Sequence, residues 1–175
     1  NKYNSFNKIP RIINDLNAGK SLALVSDAGM PSICDPGEDL IVEAKSRGIE
    51  TICIPGPCAA TTALISSGFP SSKFTFEGFL PKKKSENEKT TILFESPHRL
   101  KKLLFEFKMT LGEEREIKIC RELTKKFEEH IGNNIKDVIE YFEEKEVIGE
   151  ITVVIKGINK KKKKFELNKF ELRKE

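Results

Sequence analysis

The sequence lacks the ligand pairs and apolar spans that mark metal-binding, disulfide-rich or membrane proteins. Its four cysteines include no C-x-x-C pair, and with only two histidines the chain offers no closely spaced zinc ligands. No apolar run approaches the roughly 20 residues that span a bilayer, and no signal-peptide pattern is present. We therefore predict a cytoplasmic protein without metal or disulfides, in which the cysteines are small buried residues: Cys34, Cys53, Cys58 and Cys120.

The proportions of hydrophobic and charged residues are those of a globular protein. Hydrophobic residues make up 38% and charged residues 33% of its 175 positions. Lys and Arg outnumber Asp and Glu by 31 to 27, a mild basic excess that permits contact with nucleic acid without demonstrating it. The chain opens at Asn1 rather than Met, which favours the absence of an amino-terminal portion of the natural protein.

Hydrophobic periodicity predicts helices that alternate with short strands. Helical spacing occurs over residues 9–16, 40–44, 58–67, 100–107 and 135–142. Short apolar runs predict strands at residues 22–25, 51–54, 74–76, 91–94, 116–120 and 151–155. In the first half of the chain, strands that are apolar on both faces and separated by single helices are typical of a parallel sheet covered on both sides. We predict an α/β fold divided into a domain at 1–80, a linker at 81–90, a domain at 91–158 and a lysine-rich tail at 159–175.

The stretch from residue 25 to residue 38 joins a predicted strand to a predicted helix. Asp35 is expected at the N-cap, Pro36 at the first helical position and Glu38 at the third, which completes a capping box. Turns of this kind lie where open α/β sheets bind their ligands. The alternative interpretation is a well-capped turn with no ligand, because Gly, Pro and Asp are common in loops.

Two turns that contain Gly and Pro follow the first two predicted strands. In the first turn, Gly29 admits a ligand close to the backbone and Asp27 can accept hydrogen bonds from hydroxyl groups. In the second turn, Gly56 precedes Pro57, which is expected to start a helix whose N–H groups attract a carboxylate or phosphate. Turns at the ends of adjacent parallel strands are expected to face one another across a crevice, so the pair predicts a ligand site better than either turn alone.

Charged residues crowd the ends of two strands in the second half of the chain. Ser96 is expected as an N-cap with Pro97 at the first helical position. Such charged residues can orient a polar substrate or move a proton, and they are Glu95, His98, Arg99, Arg121, Glu122 and Lys125. The alternatives are surface ion pairs of little energetic consequence and, for His98, a surface or cap position.

Six segments with these features stand in order between residues 10 and 157. They read VSDAGMP (25–31) with DPG (35–37), PGPCAA (55–60), FEGFLP (76–81), FESPHR (94–99), RELTK (121–125) and GE (149–150). Together they resemble the ribosomal RNA small subunit methyltransferase I family of the tetrapyrrole methylase superfamily. In that family a strand and a Pro-Ile-Gly turn normally come first, and this chain lacks them. Its stretch at 82–89 is also shorter than usual.

The resemblance implies a two-domain tetrapyrrole methylase fold with S-adenosylmethionine in the cleft between the domains, usually in a homodimer. The implied reaction is 2′-O-methylation of a cytidine ribose in small-subunit (16S) ribosomal RNA. The resemblance also implies which residues line the cofactor: Asp27, Ala28, Gly29, Met30, Pro31, Ile33, Gly56, Pro57, Cys58, Ala59, Ala60, Phe94, Glu150 and Ile151.

In that reaction a ribose hydroxyl displaces methyl from a sulfonium, so the protein must hold oxygen, carbon and sulfur in line. The candidates for a general base are Glu95, Glu122, Lys125 and His98. The candidates for gripping RNA phosphate are Arg99, Arg121 and Lys125. Two alternatives stay open: a porphyrin or corrin methylase with the same fold and cofactor, and a non-catalytic RNA-binding module. The DAGMP turn and the ESPHR segment favour the RNA branch over the tetrapyrrole branch.

Overall fold

The computed structural model describes residues 8–79 and 88–158. Its internal contacts divide the chain into two compact units, Asn1–Cys58 (unit 1) and Ala59–Glu175 (unit 2). The lysine-rich tail and residues 81–87 of the predicted linker lie outside the described residues, so the predicted domain boundaries stay predictions. None of the described helices is long and apolar enough to cross a membrane.

Unit 1 is built around two helices, α1 (Ile9–Asn17) and α2 (Glu38–Ser46), which contact one another. Each buries an apolar side chain, Ile13 in α1 and Ala44 in α2. Both helices were expected from the sequence. Between and after them the described chain of unit 1 is irregular, which makes the turns its main feature.

The two strands predicted in unit 1 are wrong. Residues 22–25 and 51–54 form no strand, and three of their apolar side chains, Val25, Ile52 and Ile54, are at least three-quarters exposed. A strand requires a ladder of backbone hydrogen bonds to a neighbour, and residues 8–58 supply no such neighbour. The parallel sheet predicted for the first half of the chain is therefore not present in the described residues of unit 1.

The predicted capping box at the start of α2 is also wrong. The helix begins at Glu38, and Gly37 occupies the N-cap position without a side-chain cap. The Asp35 carboxylate instead accepts a hydrogen bond from the Ser26 hydroxyl at 2.5 Å. Asp35 therefore ties the preceding turn together and is not available to cap the helix.

Unit 2 contains a five-stranded mixed sheet in the order β1-β2-β5-β3-β4. Its strands are β1 (Phe74–Phe79), β2 (Thr90–Glu95), β3 (Ile117–Arg121), β4 (Glu129–Ile131) and β5 (Ile151–Ile155). Only β1 and β2 pair in parallel, and the other three neighbouring pairs are antiparallel. The sequence gives no indication of these directions, because a run of apolar residues reports burial on both faces and says nothing about strand direction.

Three helices cover this sheet: α3 (Ala59–Ser67), α4 (Pro97–Leu111) and α5 (Ile135–Phe142). Helices α4 and α5 contact one another, and α3 contacts β2 and β5. The largest apolar cluster joins α4 and α5 to the sheet, with Leu93, Leu100, Leu104, Ile119, Val138 and Val153 among its members. By strand alternation, Ile92 and Val154 point to the opposite face of the sheet. Both faces are therefore buried, which explains the continuous apolar runs of β2 and β5.

The cysteines divide between the two units. Cys120 is buried in β3, as expected of a small core residue. Cys34 and Cys53 are exposed, which corrects that interpretation for them, and Cys58 is partly buried. Cys34 and Cys53 are exposed because they lie in irregular chain rather than in strands of a covered sheet. No group of His, Cys, Asp and Glu in the described ranges is arranged to hold a metal ion.

Candidate functional site

The two glycine turns of unit 1 lie side by side, as the sequence predicts. Gly29 has a φ of 72°, and a Cβ added there would lie 3.3 Å from the Pro57 carbonyl oxygen. A Cβ added to Gly56 would lie 3.6 Å from Met30 Cγ. The side chain missing at Gly29 thus lets the two backbone segments approach closely.

The first turn is held by local bonds and contains unusual backbone. The Ser26 hydroxyl bonds the Asp35 carboxylate and also lies 3.1 Å from the Ala28 carbonyl oxygen. Ser32 and Cys34 have φ values of 68° and 59°, although neither is glycine. Such conformations cost about 1–3 kcal/mol each and cluster at ligand sites. Among the described residues, the buried Ser32 hydroxyl also lacks a hydrogen-bond partner.

The other residues predicted to line the cofactor in this part of the chain lie along the same two turns. Asp27 and Ala28 are exposed, whereas residues 30–33 are partly buried. Helix α3 begins at Ala59 and not at Pro57, because Pro57 belongs to the irregular turn that faces Gly29. Ala60 is only 3% exposed and packs as a core residue.

The register of the sheet in unit 2 brings four strand ends to one edge. Glu95 at the end of β2 pairs with Ile151 at the start of β5, and Ile151 pairs with Arg121 at the end of β3. Arg121 in turn pairs with Glu129 at the start of β4. The charged segments predicted around residues 95, 121 and 150 therefore converge on one edge of the sheet, called here the charged edge.

At the charged edge, Glu95 and Arg99 form a partly buried ion pair. The Glu95 side chain is 6% exposed, and its Oε1 accepts hydrogen bonds from the Ser96 N–H and from Arg99 Nε, both at 2.7 Å. Arg99 itself is 56% exposed. As predicted, Ser96 is the N-cap of α4 and Pro97 follows it. The arrangement buries a carboxylate, offers a guanidinium to solvent and leaves His98 exposed beside it.

Sequence reasoning missed an aromatic residue next to this ion pair. The Phe79 ring lies 6.1 Å from the ring of Phe94, between centroids, and the Arg99 guanidinium lies 5.9 Å from the Phe79 centroid. Phe79 is half exposed. The available signal was its place in the FEGFLP segment, directly after the apolar residues of a strand.

A second charged group joins the segments at 122–125 and 149–150. Glu122 Oε1 accepts hydrogen bonds from the Glu150 N–H at 2.8 Å and from Lys125 Nζ at 3.0 Å. Lys125 Nζ also lies 3.1 Å from Glu150 Oε2. The Glu150 N–H and then Lys125 lower the pKa of Glu122, and hydrogen bonds to Glu122 and Glu150 raise the pKa of Lys125. Both groups therefore favour their charged forms, which suits an anchor better than a proton acceptor.

The connection between β3 and β4, residues 122–128, is a tightly bonded loop (the β3–β4 loop). Glu122 and Thr124 have φ values of 51° and 65° without being glycine. The Thr124 N–H donates to Glu128 Oε2 at 2.6 Å, and His130 Nε2 lies 2.7 Å from Glu128 Oε1. The bond to His130, followed by that to Thr124, lowers the pKa of Glu128. Arg121, just before the loop, is only 14% exposed because it bonds Glu129 Oε2 at 2.8 Å.

Comparisons with known proteins agree on one family. The sequence model described as Tetrapyrrole (Corrin/Porphyrin) Methylases matches residues 5–139. Ribosomal RNA small subunit methyltransferase I of Halalkalibacterium halodurans is 44% identical over 161 residues, which cover 86% of this chain and 55% of that protein. The protein of the same name from Thermotoga maritima is 43% identical over 166 residues, which cover 90% of this chain and 74% of that protein.

The chain thus spans about half to three-quarters of the length of these two relatives. Among solved structures, the X-ray structure of cobalt precorrin-4 methyltransferase, a cobalamin biosynthetic enzyme, is similar with a TM-score of 0.64 at 15% identity. The match covers 87% of this chain and 70% of that enzyme, and at this identity it shows the fold alone. The chain therefore has the tetrapyrrole methylase fold and belongs to the ribosomal RNA small subunit methyltransferase I family.

Proposed function

We propose that this chain binds S-adenosylmethionine and transfers its methyl group to the 2′-hydroxyl of a cytidine in small-subunit (16S) ribosomal RNA. Methyltransferases of this family use S-adenosylmethionine. The observation that carries the proposal is the close packing of the Gly29 and Gly56 turns. Because the two turns lie side by side, a single ligand seated along them can contact backbone groups of both.

The residues of the paired turns fit such a cofactor. The exposed Asp27 carboxylate can accept hydrogen bonds from ribose hydroxyls. The buried Ser32 hydroxyl, which has no partner among residues 8–79 and 88–158, is available to a polar ligand. When bound, the cofactor supplies a methyl group made electrophilic by the sulfonium. The role of unit 1 is to hold that group in a fixed position.

In the transfer, the ribose oxygen bonds the methyl carbon as the carbon–sulfur bond breaks, and the ribose hydroxyl gives up its proton. We assign acceptance of that proton to Glu95 or His98. Both hydrogen bonds described for Glu95 end on Oε1, which leaves Oε2 as an acceptor. Glu122 and Lys125 are held in charged forms by one another and by Glu150, so we assign them to shaping the β3–β4 loop.

The three cations predicted to contact RNA phosphate differ in their exposure and in their ion pairs. Arg99 is 56% exposed and can reach a substrate, whereas Lys125, although 41% exposed, is held by Glu122 and Glu150. Arg121 is bonded to Glu129 and to the Ile148 carbonyl oxygen, so its role is to hold the charged edge together. We therefore place the phosphate contact of this segment on Arg99.

The test is calorimetry with S-adenosylmethionine, followed by methyl transfer to small-subunit ribosomal RNA and mapping of the methylated nucleotide. We expect cofactor binding and methylation of a cytidine at its 2′-oxygen. Transfer to a porphyrinoid acid in place of RNA would support a tetrapyrrole methylase. RNA binding without cofactor binding would support a non-catalytic module.

The variant Arg99→Ala is expected to lower the rate of RNA methylation roughly tenfold or more, because a charge-assisted hydrogen bond contributes about 1.5–3 kcal/mol. Affinity for S-adenosylmethionine should change less than about twofold, because Arg99 is not among the residues assigned to the cofactor. Steady-state kinetics with RNA and calorimetry with the cofactor measure the two effects separately.

A matched control is Arg47→Ala, at the C-cap of α2. Arg47 pairs with Glu43 four residues earlier and is 53% exposed, so it copies the spacing and the arginine exposure of the Arg99–Glu95 pair outside the charged edge. The control should methylate RNA at the wild-type rate. Equal turnover in the two variants would remove Arg99 from the RNA site.

A further inference from the structure

We propose that the β3–β4 loop holds single-stranded RNA through two residues so far without a role: a nucleobase stacks on the ring of Phe127 while Lys126 contacts the neighbouring phosphate. The inference rests on the proposed function, because it extends the RNA substrate from the target ribose to a flanking nucleotide. Unpaired bases stack readily on exposed aromatic rings, and lysine holds phosphate as a point charge.

Phe127 presents a large aromatic surface to solvent. Its side chain is 63% exposed. Lys126 Nζ lies 5.5 Å from the centroid of the same ring. An ammonium beside an exposed ring is the pairing that suits a nucleotide, which carries both a flat base and a negative charge.

Hydrogen bonds within the loop fix the backbone that carries these two side chains. The Lys125 N–H donates to the Glu122 carbonyl oxygen at 2.9 Å, and the Glu128 N–H donates to the Lys125 carbonyl oxygen at 3.2 Å. The Glu122 side chain bonds the backbone of Glu150. A loop closed at both ends loses little conformational entropy when RNA binds, so an exposed ring on it is already positioned for stacking.

Charge is distributed so that Lys126 is the available cation of the loop. Lys125 pairs with Glu122 and Glu150, and Glu128 lies against His130. In the part of the chain that the structure describes, Lys126 forms no ion pair. A phosphate that approaches Lys126 therefore does not have to displace a carboxylate.

The place of the loop supports a role next to the reacting ribose. The loop starts directly after Arg121, which is in register with Ile151 and Glu95 in the sheet. Phe127 and Glu95 thus belong to segments that leave the sheet at the same edge. A strand of RNA bound along this edge would contact Lys126 and Phe127 with nucleotides that flank the methylated one.

The test compares Phe127→Leu with Phe105→Leu in α4, because Phe105 is 62% exposed and lies outside the charged edge. Binding of a fluorescein-labelled single-stranded RNA dodecamer to the full chain should weaken about 5- to 100-fold in Phe127→Leu, given the usual contribution of stacking on one base. Phe127→Trp should restore binding, and Phe105→Leu should bind like the wild type. Lys126→Gln should reduce the slope of log affinity against log salt by about 0.7, as expected for one lost phosphate contact.

Three results would overturn the proposal: equal affinity of Phe127→Leu and Phe105→Leu, no recovery in Phe127→Trp, or a changed molecular mass of Phe127→Leu in light scattering. The last would make Phe127 a contact between protein chains. If the wild type binds S-adenosylmethionine and methylates RNA while Phe127→Leu does so equally well, only this inference fails. If the wild type does neither, the proposed function fails.

Discussion

Alanine in place of Gly29 is expected to weaken S-adenosylmethionine binding roughly 30- to 100-fold, the loss of about two backbone hydrogen bonds to a ligand. The new Cβ would lie 3.3 Å from the Pro57 carbonyl oxygen, so the two turns must separate by a few tenths of an ångström. Because the proposed cofactor site is formed by both turns, this displacement alters every contact that depends on their spacing. Calorimetry with S-adenosylhomocysteine measures the loss.

A positive φ also destabilises a protein when alanine replaces glycine. The variant Gly48→Ala measures this loss of stability by itself. Gly48 has a φ of 70°, against 72° for Gly29, and a Cβ there would meet nothing within 4 Å. Gly48→Ala should therefore lose about 1–2 kcal/mol of stability in urea unfolding from backbone strain alone, and should keep full cofactor affinity. If the two alanine variants bind the cofactor equally well, the Gly29 turn does not form the site.

Gly149→Ala is expected to reduce RNA methylation by roughly tenfold or more through displacement of a neighbouring side chain. A Cβ at this position would lie within 2.7–2.8 Å of three atoms of Glu122: Cγ, Cδ and Oε1. Glu122 must then move, which breaks its bonds to the Glu150 N–H and to Lys125. The β3–β4 loop would lose its anchor while the core of unit 2 stays intact. Turnover with RNA and cofactor calorimetry are the measurements.

The control for this variant is Gly19→Ala, two residues after α1. Its φ of 83° is close to the 87° of Gly149, and a Cβ there has open space. Gly19→Ala should lose about 1–2 kcal/mol of stability from backbone strain, and Gly149→Ala should lose more, because the bonds of Glu122 also break. Only Gly149→Ala should lose methylation. A Gly149→Ala protein with wild-type turnover would show that the loop anchor is dispensable.

Much of unit 2 could be predicted because its elements are buried. The strand predicted at 151–155 is β5, Ile151–Ile155, all of whose residues are buried. Its antiparallel direction could not be predicted, because a strand covered on both faces has the same apolar run in either direction. Strand β4 was missed because two of its three residues, Glu129 and His130, are polar.

In unit 1 the turns could be predicted from the sequence, whereas the strands could not. Gly and Pro mark these turns, because Pro fixes the backbone φ and Gly allows a bend and a close approach of two chain segments. The apolar runs at 22–25 and 51–54 were predicted as strands, but a strand also needs a neighbour to pair with. An apolar run does not specify that neighbour. The capping box failed for a similar reason: Asp35 has Ser26, nine residues earlier, as a competing partner.

At the charged edge, the residue types were predictable and their partners were not. Glu122, Lys125 and Glu150 were all expected at a functional site. The bond from Glu122 to the Glu150 backbone spans 28 positions of sequence, and only the sheet register brings those positions together. The roles of Glu122 and Lys125 as bases stay predictions, although their mutual pairing favours an anchor.

The central position of β5 has a consequence for the order in which the protein is synthesised. Since β5 lies between β2 and β3, a nascent chain that ends before residue 151 leaves one side of β2 and one side of β3 without a neighbouring strand. Such exposed strand edges associate readily with other chains. The growing polypeptide must therefore shield β2 and β3 until β5 leaves the ribosome, and only then can residues 95, 121 and 151 meet.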